Sequence, residues 1–201
     1  MDDDPTLLDR WRAGDQAAGR ALFQRYFDAM YRFFATKCDE PDELVQATFL
    51  AIVKAKDQFA GRSSFRTYLY TVARHELYRH CRGKRRDGQF DPYLSTVAGM
   101  STSAPGKLVK SEEHRRLIEA MRALPVEQQT LLELHYWEDL DAAALGEVFE
   151  LAPGAIRTRL TRARAALREQ LEKLAEVPRD RLATDVDLDA YARTFSGLRA
   201  S

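Results

Sequence analysis

Leu7, Leu8 and Trp11 start an apolar series that resumes beyond Gly14 and Asp15 with Leu22, Phe23, Tyr26, Phe27, Met30, Tyr31 and Phe34. Intervals of three and four keep side chains on one face of a helix, so the pattern predicts two helices, with Asp15 placed to cap the second. Residues 38–42 break the series. Pro41 suits the first turn of a further helix, capped by Asp39 or Glu40 and running to about Phe59. Its inner side is Leu44, Val45, Thr48, Phe49 and Ile52, which leaves Asp42, Glu43, Gln46 and Lys54 facing solvent or a partner. Residues 60–64, AGRSS, form a turn, and Ser64 can cap a helix over 65–86 whose buried face is Phe65, Leu69, Val72, Ala73 and Leu77.

Between residues 87 and 110 the text becomes rich in Gly, Ser, Thr and Pro and loses its periodicity. Structureless loops beyond about 12 to 15 residues are rare inside one compact body, so this stretch is expected to be a linker between two domains. Periodicity returns with Leu117, Ile118, Met121 and Leu124, and Pro125 begins a helix carrying Leu131, Leu132, Leu134 and Tyr136. A short helix over 141–149 follows, then a tight turn, then a long helix from Pro153 with Ile156, Leu160, Ala163, Leu167, Leu171 and Leu174 on one side. The fold expected is all-α: two small helical domains, residues 1–86 and 111–177, joined by a flexible linker at 87–110. Residues 178–201 form a tail with scattered apolar groups, either a short docking helix or none.

Charge sharpens this picture. The 201-residue chain is formally neutral, yet Arg62, Arg66, Arg74, Arg79, Arg82, Lys84, Arg85 and Arg86 are opposed locally only by Glu76. Steps of four from Arg66 reach Tyr70, Arg74, Tyr78 and Arg82, an alternation of cations and rings along one winding stripe that is expected to point outward. Cations neutralise phosphates and release counterions, while rings offer stacking platforms to unpaired bases. A solvated charged face with Tyr residues capping the core has the same spacing. The long helix from Pro153 carries Arg157, Thr158, Arg159, Thr161, Arg162, Arg164 and Arg168 on its polar side. Short helix, tight turn and basic second helix is the helix-turn-helix order, in which the second helix enters the major groove. A helical hairpin with an Arg-rich solvent face is the alternative.

Enzymatic signals are absent. His75 and His80 resemble a zinc-protease pair, but five helical steps part them by about 140°, too far to share a metal on one face. No phosphate-binding Gly-rich loop, nucleophile elbow or Cys/His pairing occurs, so neither catalysis nor a cofactor is expected. Cys38 and Cys81 match no disulfide or zinc spacing. The acidic start, MDDDPTLLDRW, and the lack of a long apolar run suggest a cytoplasmic protein without membrane insertion.

In this order and at these separations, GDQAAGRALFQRYFDAMYRFF, DELVQATFLAIVKAKDQFAGRSSFRTYLYTVARHELYRHCR, the linker and ALPVEQQTLLELHYWEDLDAAALGEVFELAPGAIRTRLTRARAAL resemble the bacterial extracytoplasmic-function sigma factors, promoter-specific initiation factors of RNA polymerase. The resemblance spans roughly residues 7–174. It implies that the helix with Asp42, Glu43, Gln46 and Phe49 binds the polymerase clamp. It implies that Arg62, Ser63, Ser64, Arg66, Tyr68, Tyr70, Arg74, His75, Tyr78, Arg79 and Arg82 hold the melted non-template strand of the downstream promoter element. The seven polar residues from Arg157 to Arg168 would read the upstream element as duplex. Core RNA polymerase, promoter DNA and, in many members, a cognate anti-sigma factor are the implied partners. The sequence departs from the family pattern at Ala47, Tyr68, His75 and Ala155. A stand-alone helix-turn-helix regulator, binding duplex operators without polymerase, is the rival expectation.

Overall fold

The computed structural model describes residues 2–57, 59, 61, 63–84, 89–100, 111–174 and 184–194. Its helices are α1 (Asp4–Arg12), α2 (Gln16–Ala35), α3 (Pro41–Ala55), α4 (Phe65–Lys84), α5 (Glu112–Arg122), α6 (Val126–Tyr136), α7 (Ala142–Phe149), α8 (Pro153–Lys173) and α9 (Asp185–Arg193). Among the described residues the only β pairing is a single bridge between Thr96 and Pro125.

Local chemistry sets most helix ends. Asp15 caps α2 through the amides of Ala17 and Ala18, Asp141 caps α7 through Ala143 and Ala144, and Pro41 and Pro153 occupy first turns, where a missing N–H costs nothing. Ser64 accepts the Thr67 amide at 3.0 Å at the start of α4. Glu40 precedes α3 without a side-chain cap bond.

The N-terminal domain is α1 to α4. Leu22, Met30, Phe34, Ile52, Leu69 and Leu77 fill its centre. A β-carbon at Gly19 would fall 2.6 Å from the Trp11 indole, so the ring's present seat between α1 and α2 depends on that position having no side chain. In the C-terminal domain, α5 to α8 enclose Leu117, Met121, Leu132, Leu145, Ile156, Leu160 and Leu167. Glu150 adopts the left-handed conformation, φ 58°, and the Leu151 amide donates to the Gly146 carbonyl at 2.8 Å, closing the turn from α7 into α8.

The described part of the linker, 89–100, has no helix but is anchored to the C-terminal domain. Val126 N–H donates to Ser95 O at 2.9 Å, Glu127 N–H to Pro92 O at 3.0 Å and Ala98 N–H to Arg122 O at 3.1 Å, and Val97 is buried. These bonds spend backbone groups at the α5–α6 junction that would otherwise be orphaned. The other expected linker residues, 87, 88 and 101–110, lie outside the described ones.

Part of the tail is a docked helix. Leu188, Tyr191 and Ala192 of α9 are buried against α6 and α8. Tyr136 donates to Asp189 Oδ1 at 2.6 Å, Arg164 Nε donates to the same oxygen at 2.9 Å, and Trp137 Nε1 donates to the Ala192 carbonyl at 3.2 Å. A guanidinium can only donate, so His135 Nε2 accepts from Arg164 at 3.0 Å and the ring proton sits on Nδ1, facing the Leu140 carbonyl at 3.2 Å. Burial, first, and the nearby Arg164 cation draw the His135 pKa down. The neutral ring's stabilisation is therefore complete above the ordinary histidine value and is lost as pH falls through the depressed folded value. Thermal unfolding at pH 7 and pH 5 should show a larger acid loss in the native chain than in His135→Gln; equal losses would remove His135 from the linkage.

Candidate nucleic-acid interface

Most of the α4 face expected to point outward does not, although Arg82 at its end is exposed. Tyr70 is completely buried, Arg74 is 7% exposed, and the stripe Arg66, Tyr70, Arg74, Tyr78 turns toward the C-terminal domain, where α4 packs on α7. Carboxylates distant in sequence supply the missing counter-charges. Arg66 pairs with Glu138 at 3.2 Å, Arg74 with Glu150 at 3.2 Å, and the Tyr78 hydroxyl donates to Glu127 Oε2 at 2.6 Å. The Arg74 guanidinium also lies 5.5 Å from the Tyr78 ring centre and 5.3 Å from that of Phe149. Burial, above all, and Glu127 raise the Tyr78 pKa, so the phenol stays protonated and can donate.

Nearer the middle of the molecule Lys37 and Glu133 form an ion pair whose side chains are 0% and 3% exposed. Thr36 Oγ1 donates to Glu133 Oε2 at 3.0 Å, and Gln129 Nε2 donates to Oε1 at 2.8 Å. Burial draws the Lys37 pKa down against the pull of Glu133. Dehydrating two ions costs several kcal/mol each, which their attraction only about offsets, so the pair adds little net stability to the fit of the two domains.

The part of α4 left open is a different stripe. Tyr68, His75, Arg79 and Arg82 follow one another at seven, four and three residues and are half-buried or exposed. His75 has its pKa lowered by burial, first, and by Arg74, which leaves the ring neutral with an accepting nitrogen. Arg79 pairs with Glu76 along the helix. Tyr68 leans on Phe59 with ring centres 4.7 Å apart. Arg62 lies outside the described residues. Ser63 and Ser64 help line a cleft of about 610 Å³ between the start of α1 and the loop entering α4, with Arg12, Tyr26, Phe59 and Phe65. Arg12 Nε donates to the Lys56 carbonyl at 3.2 Å and its guanidinium sits 5.6 Å from the Phe59 ring, fixing the loop's entry. Arg12, Tyr26 and Phe59 are additions to the residues expected here; Phe59, directly before the turn at 60–64, is the one with a signal in the sequence.

On α8 the seven expected contact residues divide. Arg157, Thr158, Thr161 and Arg162 are exposed, and among the described residues neither Arg157 nor Arg162 has an ion-pair partner. Arg159 instead pairs with Glu127 and lies 5.1 Å from the Tyr93 ring, while Arg164 and Arg168 are held by Asp189 and Asp185 of α9. The tail, not the sequence around α8, provides the charges that occupy the last two.

A third surface lies on α2 and α3. Asp42, Glu43 and Gln46 are exposed, and Phe49 is stacked on Phe23 with centres 4.5 Å apart. Beside them Phe27, Leu50 and Val53 are 45%, 50% and 41% exposed and, with Val45, line a groove of about 390 Å³. Large apolar side chains grouped in the open mark a contact surface. Cys38 and Cys81 are buried with thiol pKa values raised to about 11 and about 12 by dehydration, so they are inert packing groups. Among the described residues no His, Cys, Asp and Glu cluster could hold a metal, and no helix is long and apolar enough to cross a membrane.

The model of sigma-70 region 2 matches residues 22–87, and that of sigma-70 region 4 matches residues 114–167. The chain belongs to the extracytoplasmic-function sigma factors of the sigma-70 family. This sigma factor is 27% identical over 183 residues to the ECF RNA polymerase sigma-E factor of Escherichia coli strain K12, covering 85% of this chain and 95% of that protein. It is 26% identical over 175 residues to the ECF RNA polymerase sigma factor SigW of Bacillus subtilis strain 168, covering 81% and 94%. Its fold is similar to that of CnrH, solved with the cytosolic domain of CnrY, at a TM-score of 0.65 and 22% identity, covering 88% of this chain and 100% of that one. It is also similar to the sigma factor RpoE of Bartonella quintana, solved with the anti-sigma factor NepR, at a TM-score of 0.57 and 23% identity, covering 74% and 95%. Helix α9 lies beyond both matched regions of the sigma factor.

Proposed function

We propose that this sigma factor attaches to core RNA polymerase through the apolar groove of α2 and α3, holds the melted non-template strand on α4 and its preceding loop, and reads upstream duplex with the start of α8. The single observation that carries this is the exposed group Phe27, Leu50 and Val53 beside Asp42 and Gln46, a protein-binding surface on the same domain as the basic and aromatic helix. An operator-binding regulator acting alone has no use for it. The acidic residues at its edge would select a basic partner surface and steer its approach.

For strand capture, Tyr68, His75, Arg79 and Arg82 form the open stripe, and the cleft beside Ser63 and Ser64 has room for an unstacked base. Arg66, Arg74 and Tyr78 join this surface when the domains part. For duplex reading, Arg157, Thr158, Thr161 and Arg162 surround the exposed N-terminal end of α8, the part that enters a major groove in helix-turn-helix proteins. Control by an anti-sigma protein belongs to the same reading, supported by the RpoE structure having been solved with one.

Binding to labelled promoter fragments with and without core polymerase tests the reading. Weak duplex binding alone and site-specific binding with polymerase are expected; tight operator binding by the chain alone would favour the independent regulator. On the duplex surface, Arg162→Ala should weaken upstream binding and, as loss of one phosphate contact, flatten the dependence of log K on log salt by about 0.9. An unchanged affinity and slope would remove Arg162 from the contact.

A further inference from the structure

Glu127 bonds to both of the helices proposed to bind DNA, α4 and α8. Its side chain is 4% exposed. One oxygen, Oε2, accepts the Tyr78 hydroxyl of α4 at 2.6 Å, and the other, Oε1, accepts Arg159 of α8. The same Arg159 nitrogen, Nη1, also donates to the Tyr93 hydroxyl at 3.2 Å. The same carboxylate therefore occupies a ring of the strand-holding helix and a cation of the duplex-reading helix. Around it Glu138 and Glu150 occupy Arg66 and Arg74, so the C-terminal domain offers α4 a row of carboxylates where a nucleic acid would offer phosphates.

We infer that Glu127 couples the two DNA sites: the chain alone is closed, and engagement of either DNA form releases the other site. The inference rests on α4 and α8 being DNA-binding elements. When a phosphate draws Arg159 away, Glu127 loses its cation while still buried, and a dehydrated carboxylate with one neutral donor favours the open arrangement in which water reaches it. Opening exposes Tyr78, Arg74 and Arg66 to a single strand. Binding free energies are reciprocal, so a strand that claims Tyr78 and Arg74 must free Arg159 by the same factor. Arg159 needs only a phosphate, so duplex of any sequence suffices as a probe at low salt.

Spin labels on the full chain at Asp28→Cys and Glu172→Cys, both exposed positions in different domains, report the interdomain distance; the native thiols are buried. Without DNA a single short distance is expected. Adding a random duplex of about twenty base pairs, or oligothymidine of similar length, should raise the fraction at longer distance about five-fold or more. Glu127→Gln should raise that fraction without DNA. Arg159→Gln, at a half-exposed side chain whose loss leaves the core intact, should abolish the response to duplex; this variant carries the test if Glu127→Gln fails to fold. A distance unmoved by either probe, or a duplex response that survives in Arg159→Gln, overturns the coupling. A chain that opens with DNA yet ignores core polymerase keeps the coupling and overturns the polymerase reading; a chain that directs polymerase with its distance unmoved overturns the coupling alone.

Discussion

Replacing Leu50 with Asp is expected to lower the affinity for core polymerase about 30-fold or more while leaving thermal unfolding unchanged. A hot-spot side chain is worth about 2 kcal/mol or more, and each 1.4 kcal/mol is about a tenfold change in affinity. Leu50 is half exposed, so the domain core does not need it, and it lines the groove together with Phe27 and Val53. A carboxylate there would be dehydrated by any partner that covers the groove. Val186 is the control: it is 77% exposed on α9, outside the groove, and Val186→Asp should leave polymerase binding as it was. Binding titrations against core polymerase check both, and unchanged affinity in Leu50→Asp would move the docking surface elsewhere.

Gly146→Val is expected to cost the C-terminal domain about 3 kcal/mol and with it most duplex binding, while polymerase binding by the N-terminal domain persists. A β-carbon at this position would stand 2.6 Å from the Leu151 carbonyl oxygen, a backbone atom that cannot swing aside. That carbonyl belongs to the turn that sets α8 against α7. Moving it shifts Pro153 and the exposed start of α8, where Arg157 and Thr158 lie. Chemical denaturation of the full chain, read beside duplex and polymerase binding, tests this. Full duplex affinity in the variant would mean that the turn tolerates the shift.

Chain order and most helix starts were legible because their causes are local, whereas α3, expected to run to about Phe59, ends at Ala55. Asp15, Pro41, Ser64, Asp141 and Pro153 act within three residues of themselves, and the apolar intervals around Leu22, Leu69 and Leu160 state which side is buried. The orientation of the polar side of α4 was not legible. Arg66, Arg74 and Tyr78 look unopposed in their own segment, and the groups that meet them, Glu138, Glu150 and Glu127, lie 49 to 76 residues away. Ion pairs at such separations leave no periodic trace. The same holds for α9, whose short apolar set Leu188, Tyr191 and Ala192 is too brief to register as a pattern, although its carboxylates reassign Arg164 and Arg168 from DNA to the fold. Of the residues expected to touch nucleic acid, Ser64, Tyr68, His75, Arg79, Arg82, Arg157, Thr158, Thr161 and Arg162 are left open or half-buried, and of these His75 still has a neighbour distant in sequence, Glu150 at 3.9 Å.

Transcription by purified core polymerase on fully paired templates, with and without the chain, addresses the whole account in one assay. The account predicts discrete start sites that depend on the chain and are lost with Leu50→Asp. Identical transcripts in its presence and absence would contradict it.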